Sequence, residues 1–432
     1  MSLDEKLIKE AEDRVAFEAA GDPSIKKILG IVKEFIQKRR VLCYGGTAIN
    51  NLLPKEDQFY DPQFDIPDYD FYSEQPQVHA MELADIFYRN GFQSIEVKPG
   101  AHLMTFKVFV DFTGVADITY LDPAIFKRLW AEQIVKEGIH YVSPNFLRMS
   151  MYLELSRPRG DVSRWNKVYG RLMRLNKHYP VGCEAHKTPD AGYVSDQQKQ
   201  LIEHVLQSGK FVLLGLHAVD LHSKKRTNVW QVPIDILATP EMYEEAIRVF
   251  GKIFEHGTKV VKNDAYGELL PEHTDIKGPK DFVVCRIFKT TGCQSFHTLR
   301  SGMKIASIPT LLQFFFAFVY ADAHYLEGYD QNRIICISQR LMDLASSTKH
   351  RFKLLTPLDC LGHQETLTEM KKKTSELHDQ TPKKSDEFMK LFFKYTPGTL
   401  TKTQKNRIRT TLKKTMKKIP VHEEGLVTDK TE

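Results

Sequence analysis

The chain has 432 residues, 42% hydrophobic and 11% aromatic, with a formal net charge of +6. That length implies two or three domains, and the apolar share excludes a largely disordered chain. The positive excess is local: nine Lys/Arg and no Asp/Glu fall between Lys394 and Pro420, so the remainder is slightly acidic.

In chain order, Asp22-Pro23 forms a helix start, an N-cap followed by proline at the first helical position. Ile25, Ile28, Leu29, Val32, Phe35 and Ile36 follow at helical spacing. Val41–Tyr44 reads as a short strand ending at Gly45-Gly46, and Thr47–Asn51 opens a helix. Residues 54–67, rich in Pro, Asp and Gln, read as a loop. Asp68–Tyr72 alternates strictly and reads as a strand. Val78–Asn90 reads as a helix closed by Gly91. Leu103–Phe112 and Val115–Leu121 read as strands turning at Thr113-Gly114. Residues 144–179 read as mainly helical, interrupted at Ser156–Asp161, and a polar linker spans 181–197.

In the second half, Phe211–Val219 faintly echoes Val41–Ile49: an apolar strand, a glycine, then an alanine and a β-branched residue. Val232–Leu237 reads as a strand with one inward carboxylate, Asp235, and no Asp-x-Asp. Pro309–Tyr325 and Asn332–Ser347 read as helices. Beyond about residue 360 the periodicity weakens, and 421–432 reads as a loose acidic tail.

Several classes find no support. The charged N-terminus lacks signal-peptide character. The apolar run Ile308–Ala321 is shorter than the roughly 20 residues of a membrane span, and a buried helix is expected. No CxxC spacing suggests a zinc site or redox dithiol. Cys43 and Cys336 lie in apolar runs and read as core. The expectation is a soluble, cytosolic protein in a reducing compartment, without membrane contact. No GxSxG elbow and no P-loop occur, and His102, His140 and His217 read as structural.

The chemistry concentrates in an ordered set: strand–Gly45-Gly46–helix, strand–Asp68-x-Asp70, strand–Asp117. Alternate strand residues share a face, so Asp68 and Asp70 project together while Tyr69 and Phe71 turn inward. Paired carboxylates repel unless a cation joins them, and hard oxygen ligands suit Mg²⁺ (or Mn²⁺) with substrate phosphates as further ligands. Asp117, amid apolar neighbours, needs a partner and can complete a two-metal site. Asp111 competes for that role but lies beside a turn, where a carboxylate is easily solvated. Gly45 and Gly46 allow a triphosphate to approach, a helix N-terminus offers free N–H groups, and Thr47 adds a hydroxyl.

These segments resemble the DNA-polymerase-β-like nucleotidyltransferases, with their hG[GS] turn, DhD pair and later third Asp. The text LCYGGTAINN, IPDYDFYS, ELADIFYRNGF and VFVDFTGVADITYLDPAIF resembles, more narrowly, the poly(A) polymerase catalytic subunits of large cytoplasmic DNA viruses. The resemblance implies an α+β fold: a catalytic nucleotidyltransferase domain over 1–180, the linker, a second and catalytically silent nucleotidyltransferase-like domain over 198–360, and a basic C-terminal segment over 361–432. It implies triphosphate binding by Gly45 and Gly46 and metal binding by Asp68, Asp70 and Asp117. It further implies ATP as substrate, an RNA 3′ end as acceptor, a homodimer or a separate processivity subunit, and the host cytoplasm (viral factory or virion) as location. A tRNA 3′-end adder, an oligoadenylate synthase and a non-catalytic RNA-binding subunit remain as alternatives.

Two basic elements fit such a substrate. Arg164, Lys167, Arg171 and Arg174 make one stripe of a helix whose other face carries Trp165, Val168, Tyr169 and Leu172. Arg164 and Lys167 are candidates for phosphate contact, and Tyr169 or Trp165 for base stacking. The Lys402–Lys418 run is a candidate for backbone contact.

Overall fold

The computed structural model describes residues 3–417, apart from 185–191, 224–229, 255–257, 268, 280, 291, 322–329, 348–352 and 356–358. Part of the expected linker and the acidic tail lie outside the described residues.

The described chain forms two compact units, 3–143 with 367–417, and 144–366. The first begins with α1 (Leu3–Gly21), α2 (Pro23–Lys38), β1 (Leu42–Tyr44) and α3 (Gly45–Leu52). It continues through β2 (Tyr69–Ser73), α4 (Pro76–Arg89), β3 (Ile95–Pro99), β4 (Thr105–Val110), β5 (Thr113–Tyr120), α5 (Pro123–Ala131), β6 (Ile134–Lys136) and β7 (Ile139–Tyr141). The second holds α6 (Pro144–Leu155), α7 (Trp165–His178), α8 (Asp196–Gln207), β8 (Val212–Leu214), α9 (Gly215–His222), β9 (Ile234–Ala238) and α10 (Pro240–Ile253). It closes with β10 (Lys259–Asn263), β11 (His273–Lys277), β12 (Val283–Lys289), β13 (Gln294–Thr298), β14 (Lys304–Ala306), α11 (Ile308–Tyr320), α12 (Gln331–Ser346) and β15 (Cys360–Leu361). Then α13 (Leu367–Gln380), α14 (Asp386–Leu391) and α15 (Lys402–Lys417) return to the first unit.

Local chemistry explains the element starts. The Asp22 carboxylate accepts from the Ser24 and Ile25 amides, and α2 buries Ile28, Val32, Phe35 and Ile36. All thirteen residues of α11 are buried, so this apolar run is a core helix. The β4–β5 turn falls at Asp111-Phe112, with Val110 paired to Thr113, rather than at the expected Thr113-Gly114. Both turn residues take positive φ, +49° and +66°, the backbone sense of tight hairpin turns that match strand twist.

The first sheet runs β3-β4-β5-β2-β1-β7-β6, and the second runs β10-β11-β12-β9-β8-β14-β13-β15. Seven strands correspond one to one, and each neighbouring pair keeps its parallel or antiparallel sense. Even the irregularity in the central hairpin recurs. Register shifts between Val108 and Phe109 in one unit and between Ile276 and Lys277 in the other. The faint echo at 211–219 is one visible end of this repeated topology.

Three expectations change. Helices α6 and α7, assigned by sequence to the first domain, pack in the second unit. Four cysteines are paired, Cys183 with Cys336 and Cys293 with Cys360, while Cys43 and Cys285 are buried thiols. Cys336 is therefore cross-linked rather than a core thiol, and disulfides, uncommon in reducing compartments, withdraw the support that cysteine spacing gave to one. The C-terminal segment, assigned by sequence as a separate basic segment over 361–432, contributes 367–417 to the first unit. Leu391, Phe392, Phe393 and Tyr395 are buried, Gln77 donates to the Lys390 carbonyl at 2.8 Å, and Tyr395 pairs with edge strand β3 at Val97.

One carboxylate anchors that return. Asp85 on α4 accepts from the Tyr395 hydroxyl at 2.5 Å and from Lys405 Nζ at 2.7 Å, with Arg409 at 3.8 Å. Replacing Asp85 by Ala leaves two half-buried cations without this partner. The expected cost is about 1–3 kcal/mol, read as a lower urea midpoint together with faster proteolytic release of the segment after Thr366.

Candidate active site

The carboxylates gather on the first sheet because of strand order. Tyr44 on β1 lies opposite Asp70 on β2, and Asp70 lies beside Asp117 on β5 in the parallel β2–β5 pair. Asp70 and Asp117 are half-buried, flanked by buried Tyr69, Phe71, Ala116 and Ile118. Asp68 is exposed and sits just before β2 rather than within it. Asp111 occupies the exposed hairpin turn and has no place in this row.

Gly45 fixes the approach to Asp70. It opens α3 at φ +76°, and an added Cβ would stand 2.5 Å from Asp70 Oδ2. No other residue type leaves that carboxylate where it is, because the side chain adds both backbone strain and a collision. Thr47 is buried, and its hydroxyl donates to the Asp68 carbonyl at 2.5 Å. That hydroxyl, expected from the sequence to face phosphate, here ties the glycine turn to the Asp68 backbone. Asn50 on α3 adds a second tether, its Oδ1 accepting from the Phe59 and Tyr60 amides at 2.8 and 3.0 Å. The loop leading to Asp68 is therefore held by the helix that the glycines start.

The surroundings are apolar and charge-sensitive. Tyr44 stacks on Tyr72 at 3.9 Å between ring centres, and its hydroxyl meets Thr119 Oγ1 at 3.0 Å. Burial, and next the Asp70 charge, push the Tyr44 hydroxyl and the Cys43 thiol well above their ordinary values. On the far side of the row, Lys107 Nζ of β4 lies 3.1 Å from Asp117 Oδ2. Lys107 was not singled out in the sequence; Asp117 meets it only because of the register shift in β4–β5.

The donors fit a hard divalent cation in kind: adjacent carboxylates, no sulfur, and a glycine that leaves room beside one of them. Among the described residues, however, no three His, Cys, Asp or Glu side chains converge at ligand distance. Asp117 is instead held towards Lys107.

The α7 residues lie in the second unit. Arg164 is engaged by Glu154 at 3.0 Å and Arg171 is buried, so the four-residue basic stripe does not exist as a solvated face. Lys167 and Tyr169 remain exposed. Tyr169 borders a cavity of about 220 Å³ that Tyr152, Met173 and Asp343 also line.

The equivalent positions of the second unit are altered. Gly215 opens α9 at φ +69°, and Asp235 takes the place of Asp70, opposite Leu214. Pro233 stands where Asp68 stands and Arg286 where Asp117 stands. Burial, only partly offset by Arg286, pushes the Asp235 carboxyl up to about 7.

A mixed sheet, a strand–glycine–helix turn and carboxylates on two neighbouring strands define a nucleotidyltransferase architecture. The structure of the Megavirus polyadenylate synthase has this fold, with a TM-score of 0.76 over 95% of this chain and 88% of that one, at 20% identity. Residues 30–161 match the family described as poly(A) polymerase catalytic subunit. The putative poly(A) polymerase catalytic subunit of Acanthamoeba polyphaga mimivirus is 31% identical over 230 residues, 50% of this chain and 38% of that protein. The corresponding protein of African swine fever virus (isolate Tick/Malawi/Lil 20-1/1983) is 32% identical over 170 residues, 38% of this chain and 35% of that protein. These matches thus span little more than a third of the length of those relatives.

Gly45→Ala and Gly215→Ala impose the same backbone strain, roughly 1–2 kcal/mol each. Gly45→Ala additionally displaces the Asp70 carboxylate. Both variants are expected to melt at lower temperature, and only Gly45→Ala is expected to lose divalent-cation binding measured by calorimetry.

Proposed function

We propose that this chain is a template-independent polynucleotide adenylyltransferase that adds AMP from ATP to RNA 3′ ends. The observation that carries the proposal is the side-by-side placement of Asp70 and Asp117 against the Gly45 turn. The family match over the same segment supports the adenylate and RNA parts.

Asp68, Asp70 and Asp117 are the residues that would hold Mg²⁺ or Mn²⁺. When bound, the metal lowers the cost of an attacking alkoxide and offsets charge on departing pyrophosphate. Gly45 and Gly46 give the triphosphate close access to the backbone, and the first amides of α3 face it with the positive end of the helix dipole. Thr47 works indirectly, keeping Asp68 in register with that turn. Asp117 offers an oxygen to the RNA 3′-hydroxyl and takes its proton as the hydroxyl attacks the α-phosphate in line; pyrophosphate departs. Lys167 and Tyr169 are the exposed α7 residues suited to phosphate or base contact.

The second unit is read as a silent copy. It repeats the sheet order but keeps one of the three carboxylates, with Pro233 and Arg286 in place of the others. The host cytoplasm is the proposed location; among the described residues no helix is long and apolar enough to cross a membrane.

Helix α15 supplies a surface for the RNA backbone. It contains no acidic residue. Its inner side docks through Lys405, Arg409 and buried Leu412, while Lys402, Arg407, Lys413 and Lys414 are exposed. Like charges along one helix disfavour it, and a phosphate backbone relieves that repulsion.

Incubation of a short RNA with Mg²⁺ and each NTP separately, resolved on a gel, tests the activity. A long homopolymer made from ATP is expected; a short fixed addition or a 2′–5′ linkage refutes polyadenylation. Asp68→Ala, Asp70→Ala and Asp117→Ala are each expected to lower transfer at least about a hundredfold with circular dichroism unchanged, and full activity in any of them removes that residue from the site. For α15, replacing Lys413 and Lys414 by Gln should weaken RNA binding and flatten the log–log salt slope by about 0.7 per lost phosphate contact. An unchanged slope excludes that face from the RNA path.

A further inference from the structure

One register of each sheet carries a row of residues across four strands, three of them charged. In the first unit the row reads Tyr44, Asp70, Asp117, Lys107 along β1, β2, β5 and β4. In the second unit it reads Leu214, Asp235, Arg286, Asp275 along β8, β9, β12 and β11. Each row contains two carboxylates and one cation, and the two differ in order. In the first the carboxylates are neighbours and the cation stands outboard. In the second the cation stands between them.

The outer pair behaves as a unit whose polarity has been reversed. Lys107 Nζ meets Asp117 Oδ2 at 3.1 Å, and Arg286 Nε meets Asp275 Oδ1 at 2.8 Å. Exchanging the β5 position alone would have set like charges directly opposite one another across an antiparallel pair, which is destabilising. The β4 position therefore carries whichever charge its β5 partner requires. The two pairs differ in access. Arg286 and Asp275 side chains are 0% and 5% exposed, a closed pair. Lys107 and Asp117 side chains are 29% and 16% exposed, so water and ions reach them.

We propose that Lys107 is the internal counter-cation of the first site. It neutralises Asp117 in the absence of a divalent ion, competes with that ion electrostatically, and so sets how tightly the site binds metal. Its role is positioning and tuning, exerted through Asp117. A lysine suits this role because its flexible stem lets the ammonium move aside, whereas a guanidinium locked by its own fork does not. In the second unit Arg286 fills the central position itself, which removes the demand for metal. The proposal rests on the functional reading above.

Titration of the full-length protein with Mn²⁺ by calorimetry tests it, beside Lys107→Met, Lys107→Arg and an Asp70→Asn control. Lys107→Met is expected to bind Mn²⁺ roughly tenfold more tightly, since one unit of nearby positive charge is removed, and to reach half-maximal transfer at lower Mg²⁺. Lys107→Arg is expected to bind Mn²⁺ more weakly than the wild-type protein, because its guanidinium stays locked on Asp117, and Asp70→Asn to lose binding. Lys107→Gln, which retains a hydrogen-bond donor, replaces the Met variant if that one does not fold. Unchanged or weaker binding in the neutral variants, with normal binding by the wild-type protein, overturns the Lys107 assignment alone. Absence of saturable binding by the wild-type protein overturns the functional reading instead.

Discussion

Two carboxylates on adjacent strands, facing the same way, are an unfavourable arrangement that must be compensated. Asp70 and Asp117 stand in that relation, half-buried among apolar side chains where solvent screens them poorly. Much of the first unit can be understood as its accommodation. Gly45 removes the Cβ that would collide with Asp70. The Thr47 hydroxyl fixes the backbone of Asp68, Asn50 holds the loop before it, and Lys107 meets the outer carboxylate. In the proposed function, the remaining negative charge is what would draw a divalent cation and the phosphates that accompany it.

The repeated sheet offers an internal comparison. The same strand order, the same hairpin irregularity and the same left-handed glycine recur in the second unit. There the charge problem is solved with side chains alone. Arg286 lies beside Asp235 and bonds Asp275, and its burial is complete. An ion pair so placed is costly to break, since removing one partner strands a buried charge. The proposed catalytic arrangement and the self-neutralised one are thus two orderings of similar groups on one backbone.

The return of the C-terminal segment shows how the first unit is finished. Edge strand β3 would expose unpaired backbone groups, a liability in any sheet. Tyr395 pairs with it at Val97, and Asp85 then draws Tyr395, Lys405 and Arg409 together. Burial and the neighbouring Asp85 carboxylate push the Tyr395 hydroxyl up to about 12, so it remains a donor throughout the neutral range. The same docking leaves the opposite, basic face of α15 directed to solvent.

The sequence by itself determined the local pieces: the Asp22 cap of α2, the strand–Gly45–helix turn, the inward Tyr69 and Phe71, the buried α11, and the candidate carboxylates. Each follows from spacing, capping or backbone freedom within a few residues. It did not reveal β3, β6 or β7, or most strands of the second sheet, because short edge and hairpin strands carry little periodicity. Nor did it reveal that α6 and α7 leave the first unit, that Cys336 is cross-linked, or that Arg164 and Arg171 are withdrawn from the α7 surface. Those facts depend on partners distant in sequence, such as Cys183 for Cys336. The charge row is the clearest case. Asp117 was legible as a carboxylate on a strand, but Lys107 lies opposite it only because one extra residue shifts the β4–β5 register. Without that shift Phe106 would face Asp117. Residue type and local geometry were written in the sequence; which charge meets which was decided by strand pairing.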